Sequence, residues 1–397
     1  MRIALLNQFF WPDTVATSQL LTDVARDLNK EHQVIAICGR KSAGEDDCEP
    51  DPEVTIVRVR GFSFGRSGVA RLASYLSFLL GTAWQSLTMS SPDVYVTLTT
   101  PPLLSPIGSV AAKFRHARHV IWEMDVYPDI ATDIGYFKKD GIVDRLSGMV
   151  IDWARRRADA IIVLGEDMKA RLVARGIPIS KIHVAENWAD GAGITPRPFA
   201  EGPLVIHYSG NLGLAHETLT ITNVISRLRN HPSFQFIFSG GGPKRSTLEG
   251  FCRSEGIQNV DFRPCCSRAD LGASLAGGHL GLVTQAPVTL GSVVPSKIYG
   301  IMAAGRPLLY IGPDASTPAR HIESFGCGWR IDPVDVDGAV QLLHRLDANR
   351  DLLRDAGGRA RAAFEEHFNR PIGVARVIAV VRGTSVNTIH SHPTFTR

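Results

Sequence analysis

Short apolar runs alternate with helical segments along nearly the whole sequence, and this alternation restricts the fold more than any other feature. In the first half, the runs predicted to form strands are 3–6, 34–38, 54–59, 94–98, 119–123 and 160–164. Strands that alternate with helices are typical of a parallel sheet whose two faces are both covered. The first half is therefore predicted to be a doubly wound α/β domain.

The second half repeats this arrangement after a segment rich in Gly and Pro, 189–203, which predicts an interdomain linker. The strands predicted there are 204–209, 234–238, 260–263, 281–284, 308–311 and 328–331. A length of 397 residues also favours two domains of about 190 residues each. We therefore predict an α/β fold of two Rossmann-like, doubly wound domains that face a cleft.

The predicted domain limits follow from this division. The first domain is 1–190 and the second is 204–370. One more helix, 371–382, is expected to cross back to the first domain, and 383–397 has the low apolar content of a flexible tail.

Charge and cysteine usage narrow the class of protein. The net charge is +4 with Lys and Arg spread along the chain, so a nucleic-acid partner is not expected. Six cysteines, Cys48 among them, form no CxxC or Cys/His metal spacing, which indicates a cytoplasmic protein with reduced thiols. Thirteen histidines include no HExxH, so we predict no metal and no other cofactor.

Membrane signals are weak. The N-terminus leads directly into a strand and does not have the pattern of a signal peptide. Residues 72–87, LASYLSFLLGTAWQSL, form an uncharged helix that can be buried on most sides or can face a membrane. We favour the buried helix.

Three loops of the second half share one design, in which an apolar strand or turn leads through Gly or Pro into a helix. They are YSGNLG (208–213), SGGGPK (239–244) and the Pro-Ser-Lys turn of VPSKIYGIMAAGRPLLY (294–310). Glycine lets the backbone approach a ligand, and helix N-termini offer free N–H groups to phosphate. Each loop alone fits an ordinary αβ turn. Together, at strand ends of one sheet, they favour a nucleotide site.

The order of YSGNLG, FSGGGPKRSTLE, NVDFRP and PSKIYGIMAAGRP resembles the donor-binding half of GT-B retaining glycosyltransferases of family 4. LNQFFWPDTVATSQLLTDVARDL and WEMDVYPDIA match the bacterial exopolysaccharide and O-antigen subgroup, which includes colanic-acid and fucosamine transferases. The resemblance implies a UDP-sugar donor, with N-acetylfucosamine or a related hexosamine as the first candidate. It also implies an undecaprenyl-diphosphate-linked acceptor, and we expect peripheral contact with the inner face of the plasma membrane.

The resemblance also assigns donor residues. Gly210 and Asn211 would approach the diphosphate, and Gly241, Gly242 and Lys244 would border the base. Ser296 and Lys297 would bind phosphate, with Lys297 stabilising the leaving UDP. Arg306 is a second candidate cation, which would either touch phosphate or only pair structurally. The Glu-x7-Glu pair of many relatives is absent, because Ser292 and Gly300 stand there. Their Arg and Lys after the first glycine turn are replaced by Asn211 and His216.

In the first domain, the resemblance points to an acceptor site. Asp125 stands near the position at which relatives contact the transferred sugar, and it is the catalytic candidate there. A carboxylate could orient a hydroxyl or stabilise positive charge at the anomeric carbon. Asp125 could equally cap the following turn. Further candidates for contact with the acceptor or sugar are Gln8, Asp13, Thr17 and Glu123.

Two other functions remain open at this point. A nucleotide-sugar epimerase can share the two-domain architecture, and it would consume donor without any acceptor. A non-catalytic partner in a membrane polysaccharide assembly would explain the missing Glu pair.

Overall fold

The computed structural model describes residues 1–40, 54–62 and 68–384. Cys48 and the part of the predicted tail from 385 onward lie outside these residues. The chain divides into two compact units: residues 1–186 with 371–397 form unit 1, and residues 187–370 form unit 2.

Unit 1 is built on a parallel sheet with the strand order β3-β2-β1-β4-β5-β6-β7. Its strands are β1 Arg2–Leu6, β2 Gln33–Cys38, β3 Thr55–Arg58, β4 Val94–Leu98, β5 Arg118–Trp122, β6 Ala160–Val163 and β7 Ile182–Val184. Its first helices are α1 Ala16–Asn29, α2 Gly68–Thr88, α3 Leu104–Arg115, α4 Asp129–Asp133, α5 Ile142–Arg157 and α6 Glu166–Ala174. The central strands are buried on both faces, which explains the unbroken apolar run of β1.

Unit 2 repeats the order, as β10-β9-β8-β11-β12-β13. Its strands are β8 Leu204–Ser209, β9 Phe234–Ser239, β10 Val260–Arg263, β11 Leu280–Thr284, β12 Leu308–Ile311 and β13 Gly328–Ile331. Its helices are α7 Leu219–Arg227, α8 Pro243–Ser254, α9 Leu271–Ala276, α10 Lys297–Ala303, α11 Thr317–Phe325, α12 Val336–Ala348 and α13 Asp351–Ala363. The predicted fold class of two doubly wound, parallel-sheet domains is confirmed.

The last helix, α14 Arg370–Arg382, returns the chain to unit 1. Near its end, the Arg118 guanidinium donates to the Val381 carbonyl (2.9 Å), and Arg382 pairs with Glu31 in the turn after α1 (2.8 Å). Residues 189–203 are not a free linker. They belong to unit 2, where Ile194 is buried in the core and its carbonyl accepts a hydrogen bond from Arg361 (3.0 Å).

The preference for a buried helix at 72–87 was wrong. In α2 the residues that face the protein include Ser74, Phe78, Thr82 and Ser86, all buried. The large apolar side chains Leu76, Leu80 and Trp84 are exposed. The sequence could not reveal this, because a segment without charges carries no sign of which face meets water. Within the described residues, no helix is both long and apolar enough to cross a membrane.

A buried ionic network supports unit 1 beside β5. Arg155 of α5 is fully buried and binds Glu123 through its Nε (2.8 Å) and Asp152 through its Nη1 (2.9 Å). Arg175 also contacts the Asp152 carboxylate (2.7 Å). In such a network each charge depends on its partner, because removal of one leaves another buried and uncompensated.

We expect Glu123→Ala to lower the free energy of unfolding by about 3–5 kcal/mol, because Arg155 would keep its buried charge and lose one of its carboxylates. Lys30→Ala is the matched control, because it removes one side of the solvent-exposed pair Lys30–Asp27 and should cost less than about 1 kcal/mol. Urea unfolding followed by circular dichroism measures both. Equal effects of the two substitutions would contradict the structural role of Glu123.

Candidate functional site

Two glycine loops of unit 2 lie side by side at the carboxyl ends of neighbouring strands. The last residues of β8 and β9, Ser209 and Ser239, are partners in the parallel pair. The Gly210 N–H donates to the Ser239 carbonyl (2.8 Å), and the Leu212 N–H donates to the Gly241 carbonyl (2.8 Å). Backbone hydrogen bonds therefore fix one loop against the other.

This close approach requires glycine. Gly210, Gly240 and Gly242 have φ values of +124°, +122° and +111°, which L side chains rarely adopt. A Cβ at Gly240 would lie 2.2 Å from the Gly210 carbonyl oxygen, and a Cβ at Gly242 would lie 2.5 Å from the Leu212 carbonyl oxygen. The glycines thus serve loop-to-loop packing as well as leaving the loop surface open.

Lys297, in the first turn of α10, lies against these two loops; we call the loops and the side chains beside them the cluster. A Cβ at Gly210 would lie only 2.6 Å from the Lys297 Cε, so the lysine side chain lies across that glycine. Its Nζ is 5.3 Å from the centre of the Tyr208 ring. Burial lowers the pKa of Lys297 to about 8, so the amine is still mainly charged at neutral pH. Within the described part of the chain, no carboxylate forms a salt bridge with it.

Ser296, which directly precedes α10, is exposed, and its side chain makes no capping hydrogen bond. Asn211 is also exposed, in the loop after β8. Both side chains are therefore available to a ligand. At the other end of α10, Gly305 adopts the predicted left-handed conformation (φ +65°).

Lys244 supplies a second positive charge. Its Nζ donates to the His216 carbonyl, and its backbone N–H donates to the Leu212 carbonyl (3.2 Å). Burial lowers the pKa of Lys244, and the negative charge of Glu217 opposes that shift. The lysine thus joins the loop after β8 to the start of α8.

His216 carries no charge in this cluster. Burial, and after it the positive charge of Lys297, lower its pKa to about 3. Its Nδ1 lies 2.9 Å from the Thr284 carbonyl at the end of β11, and its Nε2 lies 3.3 Å from the Tyr208 hydroxyl. The ring therefore connects the ends of β8 and β11. A neutral histidine leaves the two lysines as the cations of the cluster.

The structure does not place Arg306 with these residues. Arg306 follows the opposite end of α10 and is 2% exposed. Its guanidinium donates to the carbonyls of Ala276 (2.5 Å) and Pro198 (3.2 Å) and lies 4.1 Å from the centre of the Phe199 ring. These contacts use the side chain inside the domain, so they favour the purely structural role that the sequence left open for Arg306 over a role in phosphate binding.

The two positions of the missing Glu pair have structural contacts instead. Ser292 is buried, and its hydroxyl donates to the Thr289 carbonyl (3.0 Å). A Cβ at Gly300 would lie 3.3 Å from Leu275. Neither position brings an acidic group into the cluster.

Asp125 is a separate candidate, in unit 1. It is half-buried just after β5, and its backbone N–H donates to the Thr99 hydroxyl (3.3 Å). Burial, and after it the negative charge of Glu123, raise the pKa of Asp125 to about 6. Among the described residues, no side chain binds its carboxylate, and α4 begins without a side-chain cap. In the described structure, no N–H of the following turn donates to the Asp125 carboxylate, so the alternative role as a cap of that turn has no support from these contacts.

The remaining candidates in unit 1 are engaged in the fold. Glu123 is buried and bound to Arg155, so its assignment to acceptor binding was wrong. The buried Gln8 amide donates to the Ser74 hydroxyl (3.1 Å), and the buried Asp13 carboxylate accepts from the Phe10 N–H (3.2 Å). Both therefore lie within the protein, not at its surface. Thr17 is half-buried in the first turn of α1 and remains accessible.

The sequence analysis missed Glu217 and Tyr208. The Glu217 Oε1 accepts from the Thr220 N–H (3.0 Å) at the start of α7, while its buried Oε2 has no partner in the described structure. The Tyr208 hydroxyl donates to the Asn211 carbonyl (2.8 Å). Neither residue carried a local signal, because Glu is not among the residue types preferred at helix N-caps and Tyr208 belongs to an apolar strand.

No three His, Cys, Asp or Glu residues among the described side chains are placed to hold an ion. The cluster instead combines two lysines with glycine loops, which suits an anionic ligand.

Comparisons with known proteins relate the chain to glycosyltransferases. Residues 17–188 match the model of the glycosyl transferase 4-like domain. Probable glycosyltransferase WbjE of Pseudomonas aeruginosa is 25% identical over 96% of this chain and 98% of its own length. Putative colanic acid biosynthesis glycosyl transferase WcaI of Escherichia coli is 23% identical over 69% of each protein.

Solved structures share the architecture. Alr3699/HepE of Anabaena, solved in complex with UDP-glucose, has a TM-score of 0.73 and 14% identity, covering 96% of this chain and all of its own. Sucrose-phosphate synthase of Thermosynechococcus elongatus has a TM-score of 0.76 and 14% identity, covering 96% and 98%. At such identities the similarity is one of fold.

We expect Gly240→Ala to destabilise unit 2 by about 1–3 kcal/mol, because it combines an unfavourable φ with a clash against the Gly210 carbonyl. Gly250→Ala is the matched control. A Cβ there meets no atom within 4 Å, and alanine should stabilise α8 by about 0.5–1 kcal/mol. Thermal unfolding of both variants tests this prediction, since the melting temperature should fall for Gly240→Ala and rise for Gly250→Ala. A neutral result for Gly240→Ala would show that the loops can separate at little cost.

Proposed function

We propose that the chain is a retaining glycosyltransferase of family 4 with the GT-B fold, and that it uses a UDP-sugar. The sugar is N-acetylfucosamine or a related hexosamine. The acceptor is an undecaprenyl-diphosphate-linked glycan of a bacterial cell-surface polysaccharide, such as O-antigen, capsule or exopolysaccharide. The enzyme works at the inner face of the plasma membrane as a peripheral protein.

Lys297 is the observation that carries the proposal. A charged amine lies across a glycine loop, and no described carboxylate neutralises it. Lys244 adds a second cation, and the ring of His216 is neutral. A diphosphate brings the negative charge and oxygen acceptors that such a cluster lacks. The UDP-glucose complex of the Anabaena neighbour supports the same class of donor.

The names of the sequence relatives support the polysaccharide role. One relative is a putative colanic acid biosynthesis glycosyl transferase and another is a probable glycosyltransferase. The N-acetylated sugar and the lipid-linked acceptor are inferred from the resemblance of the N-terminal and central motifs to that subgroup.

In the proposed reaction, the bond between the anomeric carbon and the β-phosphate oxygen breaks as the acceptor hydroxyl forms the new bond on the same face. Lys297 stabilises the charge that develops on the departing UDP. Asp125 orients the acceptor hydroxyl or stabilises positive charge on the sugar ring. The acceptor proton passes to the departing phosphate oxygen, so the products are the extended glycan and UDP.

The direct test is turnover by the purified protein. A thermal-shift screen of nucleotide-sugars finds the donor first, because a ligand at about 100 times its dissociation constant stabilises by about 2.7 kcal/mol. We expect Lys297→Ala to lower kcat/KM about 10²–10³-fold, which is the usual effect of removing one group that stabilises charge in the transition state. The far-UV circular dichroism spectrum should be unchanged, because the fold remains intact.

Arg253→Ala is the control, because it removes one positive charge from the exposed face of α8. Full activity of Lys297→Ala would contradict the assignment of Lys297 to the diphosphate site. Donor consumption without acceptor, giving an isomeric UDP-sugar, would identify an epimerase. No turnover with any donor and acceptor would favour a non-catalytic partner.

Asp125 gives an independent prediction in the pH profile. With a pKa of about 6, its carboxylate becomes protonated as the pH falls, so kcat should decline below about pH 6. Asp125→Asn should lower kcat about 10²–10³-fold and leave UDP affinity unchanged, since the neutral amide cannot supply the charge.

Asp140→Asn, at an exposed position of unit 1, is the control and should behave as the wild type. Calorimetric titration with UDP separates binding from catalysis. If Asp125→Asn is active and its kcat still declines below about pH 6, the decline must come from another titrating group.

A further inference from the structure

We propose that the outward faces of α2, α3 and α5 together form a docking surface for an anionic lipid membrane. We call this surface the apolar face of unit 1. The inference deepens the membrane location proposed above and rests on that location, while it is independent of the donor and of the sugar transferred.

The first observation is the inverted polarity of α2. Ser74, Thr82 and Ser86 are buried against the protein, while Leu80 and Trp84 are 73% and 72% exposed. The exposed series at positions 72, 76, 80 and 84 is offset from the buried series by two residues, about 200° around the helix. A water-soluble helix arranges these residue types the other way. The exposed face of α2 is therefore built for an apolar neighbour.

Large apolar side chains are also exposed on the next two helices, α3 and α5. On α3 the exposed apolar residues are Val110 and Phe114, which are four positions apart. On α5 and the turn before it, they are Tyr136, Phe137, Ile142, Val143, Leu146, Met149, Val150 and Trp153. The six that lie on α5 occupy one side of that helix, since their spacing follows the helical repeat. Soluble monomers rarely expose such a series of large apolar side chains.

The three helices are neighbours. α3 contacts α2 on one side and α5 on the other. α2 connects β3 to β4, α3 connects β4 to β5, and α5 lies in the connection from β5 to β6. All three connections step in the same direction along the sheet, and right-handed crossovers therefore place the three helices on the same face. Their outward sides are therefore parts of a single surface.

The charges at this surface complement anionic lipid. The exposed basic residues on or beside α3 and α5 are Lys113, Lys138, Lys139, Arg145, Arg156 and Arg157. The acidic residues in the same segments that reach solvent are Asp140, Asp144 and Asp159, so the six basic residues outnumber them. The Asp140 N–H donates to the Asp144 carboxylate (2.9 Å). Basic residues around an apolar face attract the negative surface of a membrane.

Aromatic residues at the edge fit the lipid interface. The Arg157 guanidinium lies 5.0 Å from the centre of the Trp153 ring, and Tyr136 and Phe137 directly precede two lysines. Trp and Tyr are enriched at headgroup depth, where one end of the ring is apolar and the other is wet. Lysine stems lie along apolar surface while the ammonium remains at the headgroups.

The same charges argue against a second copy of this chain as the occupant. A two-fold dimer would place the apolar face against itself, and with it the basic residues of both copies. Like charges across a desolvated interface oppose association. A membrane with anionic headgroups removes this repulsion.

Flotation of the full-length protein with vesicles tests the inference. We expect binding to vesicles of phosphatidylcholine mixed with phosphatidylglycerol, and weaker binding to phosphatidylcholine alone. The double variant Leu80→Ser/Trp84→Ser should reduce partitioning at least about tenfold, because both side chains are exposed apolar groups. Lys138→Gln/Lys139→Gln should reduce binding to the anionic vesicles only.

The matched control is Ile179→Ser/Val334→Ser, which changes two exposed apolar residues outside the apolar face and should bind as the wild type does. Thermal unfolding and UDP affinity, measured on the same samples, should be unchanged in every variant. A wild-type protein that binds vesicles and does not bind UDP would count against the proposed function alone.

Three results would overturn the proposal. The first is a wild-type protein that does not bind anionic vesicles, and the second is an equal loss of binding in the control variant. The third is a lipid-free dimer, seen by sedimentation, that Leu80→Ser/Trp84→Ser dissociates, since it would make a second copy the occupant.

Discussion

Parallel pairing of the strands is the constraint on which the rest of this structure depends. Because the strands of each sheet run in one direction, their carboxyl ends meet at one edge, and the loops after β8, β9 and β11 become neighbours. Gly210 and Gly240 then pack backbone against backbone, which brings Lys297 and His216 into the same small region. A site made of backbone N–H groups and two lysines follows from this topology.

Buried charges in the molecule divide into two kinds. Glu123 and Arg155 neutralise each other inside unit 1, and Arg306 is held by carbonyls and an aromatic ring. Lys297 has no such internal partner in the described structure, and its pKa is lowered by burial. A protein accepts this cost where a ligand supplies the missing charge. The pairing of a charge, more than its burial, thus separates the lysine that we propose to bind the ligand from the structural charges.

The fold could be predicted because apolar runs and glycine turns are local signals, and both sheets formed at the predicted segments. The short strand β7 was missed, since three residues carry too little pattern. The roles of Arg306 and Glu123 depend on contacts with residues far away in the chain, such as Ala276 and Arg155, which no local motif reveals. The exposed side of α2 was equally hidden, because small polar residues face the sheet there.

The course of the chain between the units has a consequence for how such proteins can diversify. Unit 2 is a single continuous segment inserted between residues 186 and 371 of unit 1. The ends of the insert are held together, since Ala189 and Asn369 form a parallel bridge and the Arg370 N–H donates to the Ala189 carbonyl (3.0 Å). Recombination at these two adjacent junctions would exchange the whole of unit 2, with its glycine loops and lysines, and would leave the sheet and the apolar face of unit 1 intact.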